Sequence, residues 1–274
     1  MAIDSATKKL FNERIAEEKL KISEFEKEIS ALKKAITSNK KLKAFFHLGS
    51  AAQQIQITNL QIEMSNISEQ MLQVKNNSYL DNARKLIYKV IAELEHVVRG
   101  EIDEPIDFNR DELDKIAPFT PKQRLNLYKH LRLLITKLIS AYGQNTKWIW
   151  SFPELYAKSA IVGMNMLDFR EIQSKRDPRE EFFYDRKEMV EMIKDDLFDA
   201  SNRYRDKFEI STKSTNDMVM AIRLLEALKR VAAATKDDAV GTKAKTGIDS
   251  YKARLEADKE EKKGGAKAAP AKKK

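Results

Sequence analysis

At 274 residues, with 34% charged and 42% hydrophobic residues, the chain has apolar material for one elongated domain or two compact ones. Only 8 Gly and 6 Pro punctuate it, too few turn formers for an antiparallel sheet, and without cysteine it has neither disulfides nor thiolate zinc or redox sites. The net charge of +9 is concentrated at the end: residues 262–274 hold six Lys and no acid, which leaves +3 for the rest.

The N-terminus lacks the continuous apolar run of a signal peptide, and no stretch approaches the roughly 20 apolar residues that span a bilayer. A cytoplasmic location is expected, although a mature exported chain would carry the same pattern. The first periodic element follows at once. Ile15, Ile22, Ile29 and Ile36 recur every seven residues, with Phe11, Glu18, Phe25 and Leu32 at the companion positions. Apolar residues spaced alternately three and four apart form a narrow seam on one helix face, the pattern of a coiled coil. Glu18 interrupts the seam once. The basic stretch KKLKAFFHLG ends at Gly49, which reads as a helix stop, so a second helix is expected from Ser50.

That second helix has its own seam, Ile57, Leu60, Met64, Ile67, Met71 and Val74. Between Gly49 and Ser78 the only charges are Glu63, Glu69 and Lys75, and an uncharged polar face is usually covered by another helix or a partner. The phase slips at Asn76-Asn77-Ser78, where a turn is expected, and a third seam runs from Leu80 to Val97. Residues 100–120 carry Gly100, two prolines and many acids, with a short helix at 110–116. This segment reads as a hinge. Thr120…Gln123, Ser151…Glu154 and Asp177…Glu180 have capping-box spacing and predict helix starts near 121, 152 and 178. The helix from Pro121 is apolar on more than one side, as expected of a bundle's centre. A further core helix runs from about Ser214 to Ala234. Residues 236–247 read as loop, 248–262 as a charged helix and 263–274 as disorder.

The organisation predicted is all-α: an elongated bundle of long amphipathic helices with an N-terminal coiled-coil segment and a disordered Lys-rich tail. The units are a helical region over 1–99, an acidic hinge over 100–120, a bundle over 121–235, and the weak helix and tail over 236–274.

Chemistry is sparse. Glu93-x-x-His96 has di-iron spacing, but such a site needs the motif twice, and neither His47 nor His130 has a carboxylate three residues earlier. No phosphate loop, nucleophile elbow or His-Glu-x-x-His occurs. No enzyme activity, cofactor, metal or small-molecule substrate is therefore expected. The expected role is a structural or adaptor protein, part of a filament or larger assembly, that self-associates or docks a protein partner through its seams. The interface candidates are Ile15, Ile22, Phe25, Ile29, Leu32, Ile36 and the aromatic residues Trp148 and Trp150. The alternative is a nucleic-acid-associated protein. It would bind through the stretch 33–47 and the tail lysines Lys262, Lys263, Lys267, Lys272, Lys273 and Lys274, since each neutralised phosphate adds affinity.

Overall fold

The computed structural model describes residues 4–143 and 146–267, the last seven of them as backbone only. The described residues are all-α, with no strand. In chain order the helices are α1 (Ser5–Ser38), α2 (Lys43–Leu72), α3 (Asn77–Val98), α4 (Arg110–Lys115) and α5 (Pro121–Tyr142). They continue as α6 (Phe152–Asn165), α7 (Phe169–Ser174), α8 (Phe183–Asp206), α9 (Thr215–Thr235) and α10 (Asp238–Lys267). None of the described helices is long and apolar enough to cross a membrane.

α1 lies along α2, and α2 packs on its other side against α3 and α5. α6 bridges α3 to α8, and α8, α9 and α10 stack in sequence. One apolar core runs from Leu48 on α2 through α3, α5, α6, α8 and α9 to Leu255 on α10. The acidic segment 100–120 contributes Ile102, Leu113 and Ile116 to that same core. A smaller cluster lies between α1 and α2.

The Thr120 box forms as the spacing predicts. Gln123 N–H donates to Thr120 Oγ1 at 3.3 Å, and Thr120 N–H donates to Gln123 Oε1 at 2.9 Å. The other two boxes do not form. Helix α6 starts at Phe152 as expected, but it follows a 3-10 turn (Ile149–Ser151), and Ser151 Oγ donates to Trp148 O instead of capping. At Asp177 the carboxylate accepts from Arg179 N–H at 2.9 Å and grips the Arg179 side chain. That local turn competes with helix formation, so α8 begins only at Phe183. Past Asp206 it continues as one π-helical segment, Lys207–Thr212.

Gly49, which reads as a stop, and Gly247 both lie within helices. Gly49 is inside α2, where a Cβ would stand 3.3 Å from Leu32 Cδ1 of α1, so the residue lets the hairpin close. Gly247 is inside α10, where a Cβ would meet Leu225 Cδ1 of α9 at 2.7 Å. The 236–247 loop expectation is thereby overturned. Asp237 accepts from Val240 N–H at 3.1 Å, and α10 runs from Asp238, burying Ala244, Ile248, Tyr251 and Leu255. The helix extends to Lys267, so residues 263–267 are helical; the rest of the expected disordered tail, 268–274, lies outside the described residues.

Candidate functional site

The N-terminal seam is covered within the chain. Ile15, Ile22 and Ile29 are buried against Ile57, Met64 and Ile67 of α2, flanked by the half-buried Phe11, Phe25, Leu60 and Met71. Leu32 and Ile36 are half-buried near the hairpin's closed end, Leu32 over Gly49. Glu18 stays in the seam, 7% exposed, because Lys21 Nζ reaches its carboxylate at 3.0 Å. The uncharged polar face of α2 is covered as well, by helices on both sides. Gln54, Thr58, Ser65 and Ser68 are all buried. What α1 turns outward is mostly charged or small and polar, with Leu10 and Leu20 the large apolar exceptions at 58% and 65% exposure.

The hairpin's closed end has a distinct character. Lys33, Lys34, Lys40, Lys41 and Lys43 are all exposed, and none forms an ion pair among the described residues. No acid occurs in the sequence between Glu28 and Glu63. Leu42, 45% exposed, sits among them on the turn between the helices.

Trp148 and Trp150 stand at the far end of α5. Asp81 on α3 accepts from Tyr142 Oη at 2.5 Å and from Trp148 Nε1 at 2.8 Å, while the Arg84 guanidinium covers the Trp148 ring at 3.7 Å. Burial, then the Asp81 carboxylate, pushes the Tyr142 hydroxyl above its usual range. Trp148 thus closes the bundle end by an aromatic–polar clasp. Trp150 is half-buried on the 3-10 turn beside it.

Two polar clusters escaped sequence reading. His47 Nδ1 lies 2.6 Å from Glu93 Oε2, and Ser50 Oγ and Gln54 Nε2 donate to Glu93 Oε1 at 3.1 and 3.4 Å. The His47 ring stacks on His96 at 4.7 Å. The Glu93-x-x-His96 spacing was visible, but its partner on α2 is 46 residues away. The second cluster lines a cleft of about 530 Å³ between α5, α6 and α8. There Tyr128 Oη donates to Asp196 at 2.6 Å, and Arg132 grips both Asp196 oxygens. Burial raises Asp196 despite Tyr128 and Arg132, and burial followed by the Asp196 charge raises Tyr128 well above its usual value. Arg203 pairs with Asp199 at 2.7 Å and covers the Tyr156 ring at 3.9 Å. The cleft's arginines and aspartates are therefore already committed to one another.

Of the tail lysines, Lys262, Lys263 and Lys267 fall on the last turns of α10, where backbone alone is described, and Lys272, Lys273 and Lys274 lie outside the described residues. Comparisons with curated proteins and with solved structures gave no match. One protein-family profile matches residues 7–259, nearly the whole chain, and the protein belongs to the TP0443 family.

Proposed function

We propose that the protein is a non-catalytic structural or adaptor component that docks an acidic protein partner through the closed end of its α1–α2 hairpin. The observation that carries this reading is the group of five exposed, unpaired lysines around Leu42, with no acid nearby in sequence. Like charges crowded at one tip repel each other, and a complementary acidic surface relieves that repulsion and steers the encounter. Leu42 supplies an apolar anchor inside the charged ring, the arrangement of a small interface core and rim. The α1 seam is spent on α2, which favours docking over self-association through that seam. The absence of sequence motifs for reaction chemistry and the internal pairing of the α5–α6–α8 cleft both favour a non-catalytic role.

The same lysines serve the nucleic-acid reading, and Leu42 separates the two. In crosslinking from native extract, Lys40→Glu/Lys41→Glu/Lys43→Glu and Leu42→Asp should each lose a protein that the unmodified chain captures. If Leu42→Asp retains all binding while the lysine variant loses retention on duplex DNA with a flattened salt dependence, the protein-docking reading falls and the nucleic-acid one replaces it. A partner set unchanged in both variants removes the hairpin tip from consideration.

A further inference from the structure

Away from the hairpin, α7, the first turns of α8 and the end of α9 enclose a cleft of about 240 Å³. The α8 residues that line it recur three and four apart, at Phe183, Arg186, Lys187, Val190, Glu191 and Lys194, so one helix face forms a wall. Lys175 and Arg176, just past the end of α7, complete the charged part of the lining.

Arg186 is the unusual member. It is only 7% exposed, yet it forms no ion pair among the described residues. Its guanidinium is held by two backbone carbonyls, Glu181 O at 2.9 Å and Lys175 O at 3.4 Å. Those carbonyls fix the fork and leave its charge uncompensated, and a buried charge without a counter-ion is costly. Lys194 is buried too, but it is paired with Glu191 at 3.0 Å and Asp237 at 2.8 Å. Lys175 is paired with Glu171 at 2.7 Å. Arg176 and Lys187 are exposed and unpaired among the described residues. Three of the five lining cations, Arg176, Arg186 and Lys187, therefore have no ion-pair partner among the described residues, and Glu191 is the one acid in the lining. Asp185, the acid in the first turn of α8, does not line the cleft.

We infer that this cleft binds the phosphoryl group of a small soluble phosphomonoester. A dianionic phosphoryl group suits a cleft with three unpaired cations, and a rigid guanidinium fork matches its oxygens bidentately. Ile172, Phe183 and Val190 line the rest of the cleft and suit a short apolar body on the ester. At about 240 Å³ the space falls below the roughly 300–1,000 Å³ of drug-sized sites. This site is independent of the docking proposed for the hairpin.

The test is calorimetric titration of the full chain with phenyl phosphate and with inorganic phosphate, using sodium chloride at matched ionic strength as control. Phenyl phosphate should bind more tightly than inorganic phosphate, because only it also covers the apolar lining. Arg186→Gln should weaken phenyl phosphate about tenfold or more, the loss of a hydrogen-bonded charge pair. Because Arg186 also ties down the 175–181 turn, Lys187→Gln provides a second variant on an exposed residue. It should weaken binding severalfold with melting unchanged. The inference is overturned if phenyl phosphate gives no more heat than the chloride control at millimolar concentration. It is overturned equally if both variants bind as the unmodified chain does. Equal affinity for the two phosphates would overturn the ester assignment and leave a site for inorganic phosphate alone.

Discussion

The two faces of α2 end in different kinds of core. Toward α1 the helix meets one row of isoleucines, and the cluster there holds six buried residues: Ile15, Ile22, Ile29, Ile57, Met64 and Ile67. Toward α3 and α5 it presents Leu48, Ala51, Ile55 and Ile62 to a core that continues through eight further helices, α3 to α10. α1 has 34 residues and essentially one neighbour, whereas α9 is packed by α8 on one side and α10 on the other. Burial of an isoleucine-sized side chain contributes about 1.5–3 kcal/mol, so a single row holds α1 only locally. The main core spreads its burial over many mutually supporting helices and should open as one unit. Edge elements with few buried contacts belong to the low-stability end of a structure.

Alkali should break the large core first and most completely. Tyr88, Tyr128, Tyr142, Tyr156, Tyr204 and Tyr251 all have raised pKa values, burial being the first cause in each, and Tyr88 is pushed up to about 12. A raised folded value favours the protonated form, so this stabilisation is intact below the usual tyrosine value of about 10 and is lost as pH rises through the folded values. All six lie outside α1 and α2. Tyrosinate absorbance and far-UV circular dichroism should therefore rise and collapse together in one transition above pH about 10. Ionisation of these tyrosines one by one near pH 10 with helicity intact would mean the core is not a single unit. A smaller effect is expected from Leu131→Ala on α5, whose side chain is fully buried. It should cost about 2–5 kcal/mol in denaturant unfolding, with every helix lost at the same midpoint. A biphasic curve would divide the bundle.

Much of this architecture was legible in sequence because it is local. The isoleucine row of α1, the turn at Asn76-Asn77-Ser78, the start of α5 at the Thr120 box and the short helix at 110–116 each depend on residues within a few positions of one another. What was missed depends on contacts between distant residues. Gly49 looks like a breaker until Leu32 is known to lie against it, and the 236–247 stretch looks like a loop until Gly247 is known to sit against Leu225. The Asp177 spacing predicts a box, but the Arg179 side chain captures the carboxylate first. His47 and Glu93 meet across 46 residues. The five lysines of the hairpin tip were visible in sequence, but their lack of partners was not, and the cleft around Arg186 gave no signal at all. The seams of α1 and α2 were both visible. Their pairing with each other depends on the short turn Asn39–Leu42, which no periodicity encodes.

The smallest effect on the global transition should come from the seam itself. Ile22→Lys/Ile29→Lys places two charges where Ile57, Met64 and Ile67 offer no solvation. The local cost is large, but α1 can swing into water and take the charges with it, while α2 keeps its other face on the main core. Light scattering should report unchanged mass, because the seam pairs within the chain. Amide exchange should accelerate along α1 and on the α2 face it covered, with protection in α5, α8 and α9 retained. The global midpoint should move less than it does for Leu131→Ala. A drop in mass would mean that α1 seams pair between chains and would restore self-association. A midpoint shift as large as that of Leu131→Ala would mean that the edge helix and the core unfold together, and the contrast between the two faces of α2 would be one of appearance only.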